Sequence, residues 1–250
     1  MRYFLELTYN GKDYHGWQNQ PNAISVQEVV EKALSTLLNN ATAIVGAGRT
    51  DAGVHAKQMF AHFDTDTVFV TEDLIYKLNS FLPNNIAILD VFKVKPEAHA
   101  RFHALSRKYL YRISLTKDVF NSDGSYYLKQ DLNMTKMKEA TKLLLGYKDF
   151  QCFSKSQTDV NTYYCNIMHA KWHLVDNELQ FTIKADRFLR NMVRAIVGTL
   201  INVGLGKLDV EDIHNILASK NRSEAGFSVP AHGLYLIEVA YPEAIKLSEQ

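Results

Sequence analysis

The stretch Gly46-Ala47-Gly48-Arg49-Thr50-Asp51-Ala52-Gly53-Val54-His55 concentrates three glycines, one carboxylate, an arginine and a histidine in ten positions. It is not a dinucleotide fingerprint, because Asp51 stands where G-x-G-x-x-G needs its third glycine, and no Gly-Lys-Ser/Thr follows to make a phosphate loop. A lone acid suits two kinds of chemistry, covalent attack as a nucleophile or proton abstraction as a base, and both need it ionised. Ordinary glycoside hydrolysis needs two carboxylates, to serve a leaving group and a water, and no second acid lies in this stretch. On residue types alone the same stretch also fits a glycine turn with Asp51 as a solvated turn residue.

Three further features carry chemistry-bearing residues. Arg187, Arg190 and Arg194 stand at i, i+3 and i+7, so a helix from Phe188 to Val203 puts them on one stripe, roughly opposite Leu189, Val193, Ile196 and Leu200. Such a stripe is either a solvated basic face or a phosphate contact. Tyr109 lies on the clear alternation Lys108 to Leu115, where the default for a tyrosine is the core and Tyr111 faces the same way. The pairs His99/His103 and His169/His173 have metal-like spacing, but Cys152 and Cys165 are too far apart in sequence for a zinc motif. A strand at Trp172 does not bring i and i+4 onto one helical face, so no metal is expected.

The elements that must position these residues are legible as periodicities. Tyr3 to Tyr9 alternates and precedes an Asn10-Gly11 turn. Ser25 with Glu28 forms a capping box ahead of a helix from Val26 to Leu38. Met59 to Phe63 reads as strand, Glu72 to Phe81 as a helix stopped by Pro83, and Ala87 to Val94 as strand. A second part contains a helix from Lys136 to Leu145 and a hairpin turning at Asp176-Asn177. The helix of the arginine stripe, a shorter helix from Val210 to Leu217 capped by Asp209, and a last strand from Leu234 to Tyr241 follow. Strands and helices interleave without a regular strand-helix rhythm, which points to an α+β fold with a mainly antiparallel sheet. The expected division is 1–98, carrying the Asp51 loop, and 99–250.

Composition narrows the function classes. At 250 residues, 46% hydrophobic and 22% charged, the chain can build a sizeable core and is neither collagen-like nor disordered. A formal net charge of +1 means that a polyanion must be met by local patches. Two cysteines make no disulfide framework, Glu6 breaks the apolar region a signal peptide would need, and Arg190 and Arg194 interrupt the longest apolar stretch. A cytoplasmic location without a membrane segment is the expectation.

Several motifs in order carry a resemblance to a known family. Gly48 with Arg49-Thr50-Asp51-Ala52-Gly53-Val54-His55 resembles the catalytic loop of the tRNA pseudouridine synthase A family. Tyr9 to Gln20, followed by Ser25-Val26-Gln27, resembles the family's amino-terminal signature. Ala100-Arg101-Phe102 with Arg107-Lys108-Tyr109-Leu110-Tyr111, Phe188 to Arg194 with Val197-Gly198, and Pro230 to Leu236 resemble its later blocks. Residues Lys117 to Gln130 and Lys155 to Met168 match nothing in it, and Phe227-Ser228-Val229 is bulkier than its small polar run.

The resemblance implies two ferredoxin-like α+β halves sharing a central sheet, with the active-site cleft between them. It implies an isomerase that turns uridines 38, 39 and 40 of the tRNA anticodon stem-loop into pseudouridine without a cofactor. Asp51 is then the catalytic carboxylate, Arg194 the cation beside it, and Tyr109 the residue that stacks on the flipped uracil. Arg49, Arg101, Arg187 and Arg190 become RNA contacts, and the enzyme a homodimer in which each tRNA touches both subunits. One carboxylate suffices because the uracil is both leaving group and returning nucleophile. Two rival readings are a non-catalytic RNA-binding relative and a nucleoside hydrolase using Asp51, which would release free uracil.

Overall fold

The computed structural model describes residues 1–155 and 161–247. The chain forms two compact units, Met1–Leu105 with Leu236–Gln250, and Ser106–Tyr235. The first unit opens with β1 (Arg2–Tyr9), α1 (Val26–Leu38), β2 (Val45–Gly46), β3 (His55–Asp64), α2 (Thr71–Phe81) and β4 (Ile86–Lys93). The expected capping residue does start α1: Ser25 Oγ accepts from the Glu28 amide at 3.1 Å, and Val26, Val30, Ala33, Leu34 and Leu38 form its buried face. Helix α2 ends at Phe81, one residue before the Leu82-Pro83 pair, because the residue ahead of a proline is driven out of the helical region. β1 lies antiparallel between β3 and β4, with Leu5 opposite both Ala61 and Val91.

The second unit comprises β5 (Ser106–Ser114), β6 (Tyr126–Tyr127), α3 (Met134–Leu143), β7 (Ile167–Val175), β8 (Glu178–Ala185), α4 (Met192–Gly204) and α5 (Asp212–Ser219). β8 lies antiparallel between β5 and β7, and Asp176 at φ 54° makes the hairpin turn. Tyr111, Phe181 and Trp172 come side by side in register, and the Trp172 indole donates to Thr141 Oγ1 of α3 at 3.0 Å. That face of the three strands is therefore the one the helices cover.

β9 (Leu234–Ala240) takes the chain back to the first unit from Leu236 onward. It runs beside β3, and the Val239 amide donates to Gln58 Oε1 at 2.9 Å. The fold is α+β with a mixed, mostly antiparallel sheet, as the interleaving predicts. Among the described residues no helix is long and apolar enough to cross a membrane.

The arginine stripe is a correction. The helix expected from Phe188 starts at Met192, because Asn191 adopts a left-handed conformation with φ 67° and closes off everything before it. Arg187 and Arg190 thus sit on irregular chain, and Arg194 alone of the three is helical. The expected start of the shorter helix also moves, from Val210 to Asp212. Two tight turns precede it, and the Asp212 carboxylate accepts from the Asp209 amide rather than Asp209 capping the helix.

Candidate functional site

In the first unit the Asp51 loop connects β2 to β3, and its shape comes from the segment Tyr9 to Trp17. The Trp17 amide donates to the Thr50 carbonyl at 3.3 Å, and the Thr50 hydroxyl is 2.9 Å from the Tyr9 hydroxyl. On the other side of Asp51, the Gly53 amide donates to the Tyr14 carbonyl and the Val54 amide to the Asp51 carbonyl, both at 3.2 Å. His55 is buried, and its Nδ1 accepts from the Gly11 amide at 3.0 Å, which leaves any proton on a neutral ring to Nε2. Asp51 is half-buried at the centre of these anchors.

Gly16 shows why this prop has its sequence. Its φ is +91°, and a Cβ there would lie 2.2 Å from the Thr50 carbonyl oxygen, so only glycine permits the approach. Trp17, 2% exposed, then packs beneath the loop with its ring 6.2 Å from that of Tyr9. The amino-terminal motif and the Asp51 motif are thus one structure, joined by backbone hydrogen bonds that residue types do not announce.

Arg49 is exposed on the same loop. Arg101 is exposed on a turn, with its guanidinium 5.7 Å from the Phe102 ring centroid. Three imidazoles hold that turn by their Nδ1 atoms. His62 accepts from the Ala100 amide at 3.1 Å, His99 from the Arg101 amide at 3.1 Å, and His103 from the His99 amide at 2.9 Å. Burial, helped by Arg2 and His99, pulls His62 down to about 4, so it stays neutral and able to accept.

In the second unit Tyr109 is half-buried on β5, opposite Ile183, with its ring edge-on to Phe188 at 5.1 Å. Arg194 lies in the first turn of α4. Its Nε donates to the Val229 carbonyl at 2.8 Å, while the Val229 amide donates to the Arg194 carbonyl at 3.2 Å. This reciprocal clamp belongs to a strap, residues 226–233, threaded along α4. Thr199 Oγ1 accepts from the Gly226 amide at 2.8 Å, and Asn191 Nδ2 donates to Ser228 Oγ at 2.7 Å. Gly198 makes the threading possible, since a Cβ there would overlap the Phe227 carbonyl oxygen at 1.8 Å. Tyr111, with 0% exposure, donates from its hydroxyl to the Pro230 carbonyl at 2.8 Å. Its phenol is pushed up by burial, against the nearby positive charge of Arg194. Val229, in a segment that sequence motifs leave without a role, is therefore the residue seen to hold Arg194, while Ser228 next to it bonds Asn191 through its hydroxyl. Val229 acts through backbone atoms, so its side-chain identity carries little signal of that contact.

Arg187 is half-buried before α4 and Arg190 exposed, with the Arg190 carbonyl accepting from the Lys155 amide at 3.0 Å. Cys152 and Cys165 are free and buried, and burial pushes both thiols up to about 12. Among the described residues no group of three His, Cys, Asp or Glu side chains could hold a metal ion.

Comparison with known proteins identifies the family of the chain. A family model described as tRNA pseudouridine synthase matches residues 140–242, which span the hairpin, α4, the strap and β9. The class of the molecule is therefore a pseudouridine synthase, an isomerase. The chain is 51% identical over 249 residues to the tRNA pseudouridine synthase A of Parabacteroides distasonis, covering 98% of this chain and 97% of that protein. It is 52% identical over 246 residues to the namesake from Bacteroides fragilis, covering 98% of each. The chain belongs to the tRNA pseudouridine synthase A family.

Proposed function

We propose that the protein isomerises uridines 38, 39 and 40 of the tRNA anticodon stem-loop to pseudouridine, with Asp51 as the catalytic carboxylate. The observation that carries this reading is the anchoring of the Asp51 loop on both sides, at Thr50 and at Gly53, by the segment that props it. A carboxylate that must meet one sugar carbon needs such a fixed backbone, whereas a solvated turn does not.

In this reading the C1′–N1 bond of uridine breaks as Asp51 either bonds to C1′ or removes a ribose proton. The uracil turns and C5 joins C1′ as the Asp51–C1′ bond breaks or the abstracted proton returns to the ribose; the C5 proton then leaves and N1 ends protonated, so no atom or electron is gained overall. Tyr109 stacks on the flipped base, and Arg194 serves as the cation for the carboxylate. Arg49, Arg101, Arg187 and Arg190 contact RNA. Neighbouring target positions suit recognition by helix shape and backbone rather than by base sequence. The enzyme works in the cytoplasm as a homodimer.

The test is Asp51→Asn assayed for pseudouridine formation and for tRNA binding. Isomerisation should vanish while affinity changes by less than about threefold, since removing a group that acts in the transition state lowers turnover rather than ground-state binding. Loss of binding in step with activity would favour an ordinary structural loop, and free uracil from the unaltered protein would favour a hydrolase.

A further inference from the structure

Arg222 lies between α5 and the strap, and it is half-buried. Its bonds set it apart from Arg112, the half-buried arginine of β5, whose charge is met by the Glu178 carboxylate at 2.6 Å. Among the described residues no carboxylate meets Arg222. Its Nη1 donates to the Gly226 carbonyl at 3.0 Å and, at the longer distance of 3.5 Å, to the Ala225 carbonyl. Its Nη2 donates to Ser228 Oγ at 2.9 Å. Burial disfavours the charged form and holds its pKa below the usual guanidinium value. A neutral side chain would close an ordinary turn without that cost, so the fork, which reaches two acceptors at once, is what the position uses.

Both of the points it holds lie on the segment that reaches Arg194. Gly226 is gripped from two directions, its amide by Thr199 Oγ1 of α4 at 2.8 Å and its carbonyl by Arg222. A Cβ at Gly226 would lie 2.7 Å from Thr199 Cα, so strap and helix meet there backbone to backbone. Ser228 Oγ accepts from Asn191 Nδ2 at 2.7 Å as well as from Arg222, and these two donors fill the two lone pairs of the hydroxyl oxygen. The next residue is Val229, whose carbonyl receives Arg194 Nε. A phosphate contact is the other common use of an arginine in an RNA-modifying enzyme, but here both Nη atoms donate to the strap.

Resting on the reading above that Arg194 serves the catalytic carboxylate, we propose that Arg222 is a positioning residue for the isomerisation. By holding Gly226 and Ser228 it sets the point along α4 at which the Val229 carbonyl meets Arg194 Nε. It acts on turnover through Arg194 and leaves tRNA affinity unchanged.

The experiment measures kcat, KM, tRNA affinity across salt and equilibrium unfolding for Arg222→Gln and Arg222→Lys, each alone and combined with Arg194→Lys. Arg222→Gln should lower kcat about 5- to 10-fold at nearly constant KM. Arg222→Lys should recover part of this, to a loss of about 2- to 3-fold, because an ammonium keeps the charge without the fork. In the Arg194→Lys background, Arg222→Gln should cost less than about 2-fold, since the contact it supports is already lost. The salt dependence of binding should keep its slope in every variant. Unchanged kcat in a folded Arg222→Gln overturns the proposal, and so do equal losses in both backgrounds, which describe an ordinary scaffold residue. A shallower salt slope overturns it in favour of a phosphate contact. If Arg222→Gln does not fold, Ser228→Ala releases one of the two held points and should show the same dependence on Arg194, and independence there is equally fatal. Full turnover in Arg194→Lys alone, or no pseudouridine from the unaltered protein, would instead count against the proposed function, so the two failures are separable.

Discussion

The Asp51 loop and the start of α4 hold their candidate site residues by opposite means. Around Asp51 the anchors fall on neighbouring backbone, at the Thr50 carbonyl and the Gly53 amide, with the Tyr9 hydroxyl reinforcing Thr50. At Arg194 an anchor falls on the candidate side chain itself, whose Nε is held by the Val229 carbonyl. The first arrangement positions whatever side chain the loop bears and depends on how closely two backbones approach. The second depends on the geometry of one guanidinium. Replacing a prop should therefore act through backbone strain in the first unit, and through donor geometry in the second.

The largest effect should come from the backbone prop. Gly16→Ala must carry a side chain at positive φ and against the Thr50 carbonyl, so it should lower unfolding stability by about 2 kcal/mol or more. A loop moved by ~1 Å should lose about 100-fold in turnover. Gly48→Ala, in the same loop but with open space at its Cβ position, should stay within about 0.5 kcal/mol of the parent. Equilibrium unfolding and kcat on both variants would break the comparison if Gly48→Ala proved the more damaging.

A smaller loss is expected at the side-chain clamp. Arg194→Lys keeps the charge but has no Nε fork, and a hydrogen bond from a charged donor contributes about 1.5–3 kcal/mol. Because the lysine ammonium keeps the charge, the loss should fall at the lower end of that range, about 1.5–2 kcal/mol. Turnover should therefore drop about 10- to 30-fold at nearly constant KM, while Arg190→Lys, outside the helix, changes kcat little. Steady-state kinetics of the two variants decide the matter, and equal losses would remove the distinction between the arginine held by Val229 and the one outside the helix.

The smallest effect near neutral pH, one that grows only on acidification, tests a third kind of grip, in which a ring nitrogen holds backbone. His62 is 5% exposed, and its pKa falls from 6.5 to about 4 in the folded protein. The unfolded chain therefore binds a proton in that window that the folded protein does not. Stability should fall as pH drops from about 6.5 towards 4, by up to about 1.4 kcal/mol per pH unit from this group. His62→Gln keeps an acceptor for the Ala100 amide and should flatten that part of the profile in denaturant titrations.

Local pattern was enough for most elements. The Ser25 cap, the Pro83 stop and the Asp176-Asn177 turn act over a few residues, and the helices and strands they bound fall within a few residues of expectation. The motif residues stand out by type as well, because glycines flanking one acid, an arginine and a histidine leave a mark on the sequence. Asn191 is the instructive exception: its apolar periodicity continues back to Leu189, yet contact with Ser228, 37 residues on, goes with a left-handed backbone there and breaks the arginine stripe. The two-residue strands β2 and β6 exist as partners of β3 and β5 and have no periodicity of their own.

The final strand likewise reads as the end of 99–250, but from Leu236 it packs with the first unit, because its hydrogen-bonding neighbour there is β3. Periodicity records which face of an element is buried, not which distant element buries it. Hydrogen bonds to carbonyls such as those of Thr50 and Val229 leave still less trace, since every residue type offers the same backbone acceptor. The candidate residues are therefore written in side-chain types, while their fixing in space is left to backbone contacts that tertiary structure alone brings together.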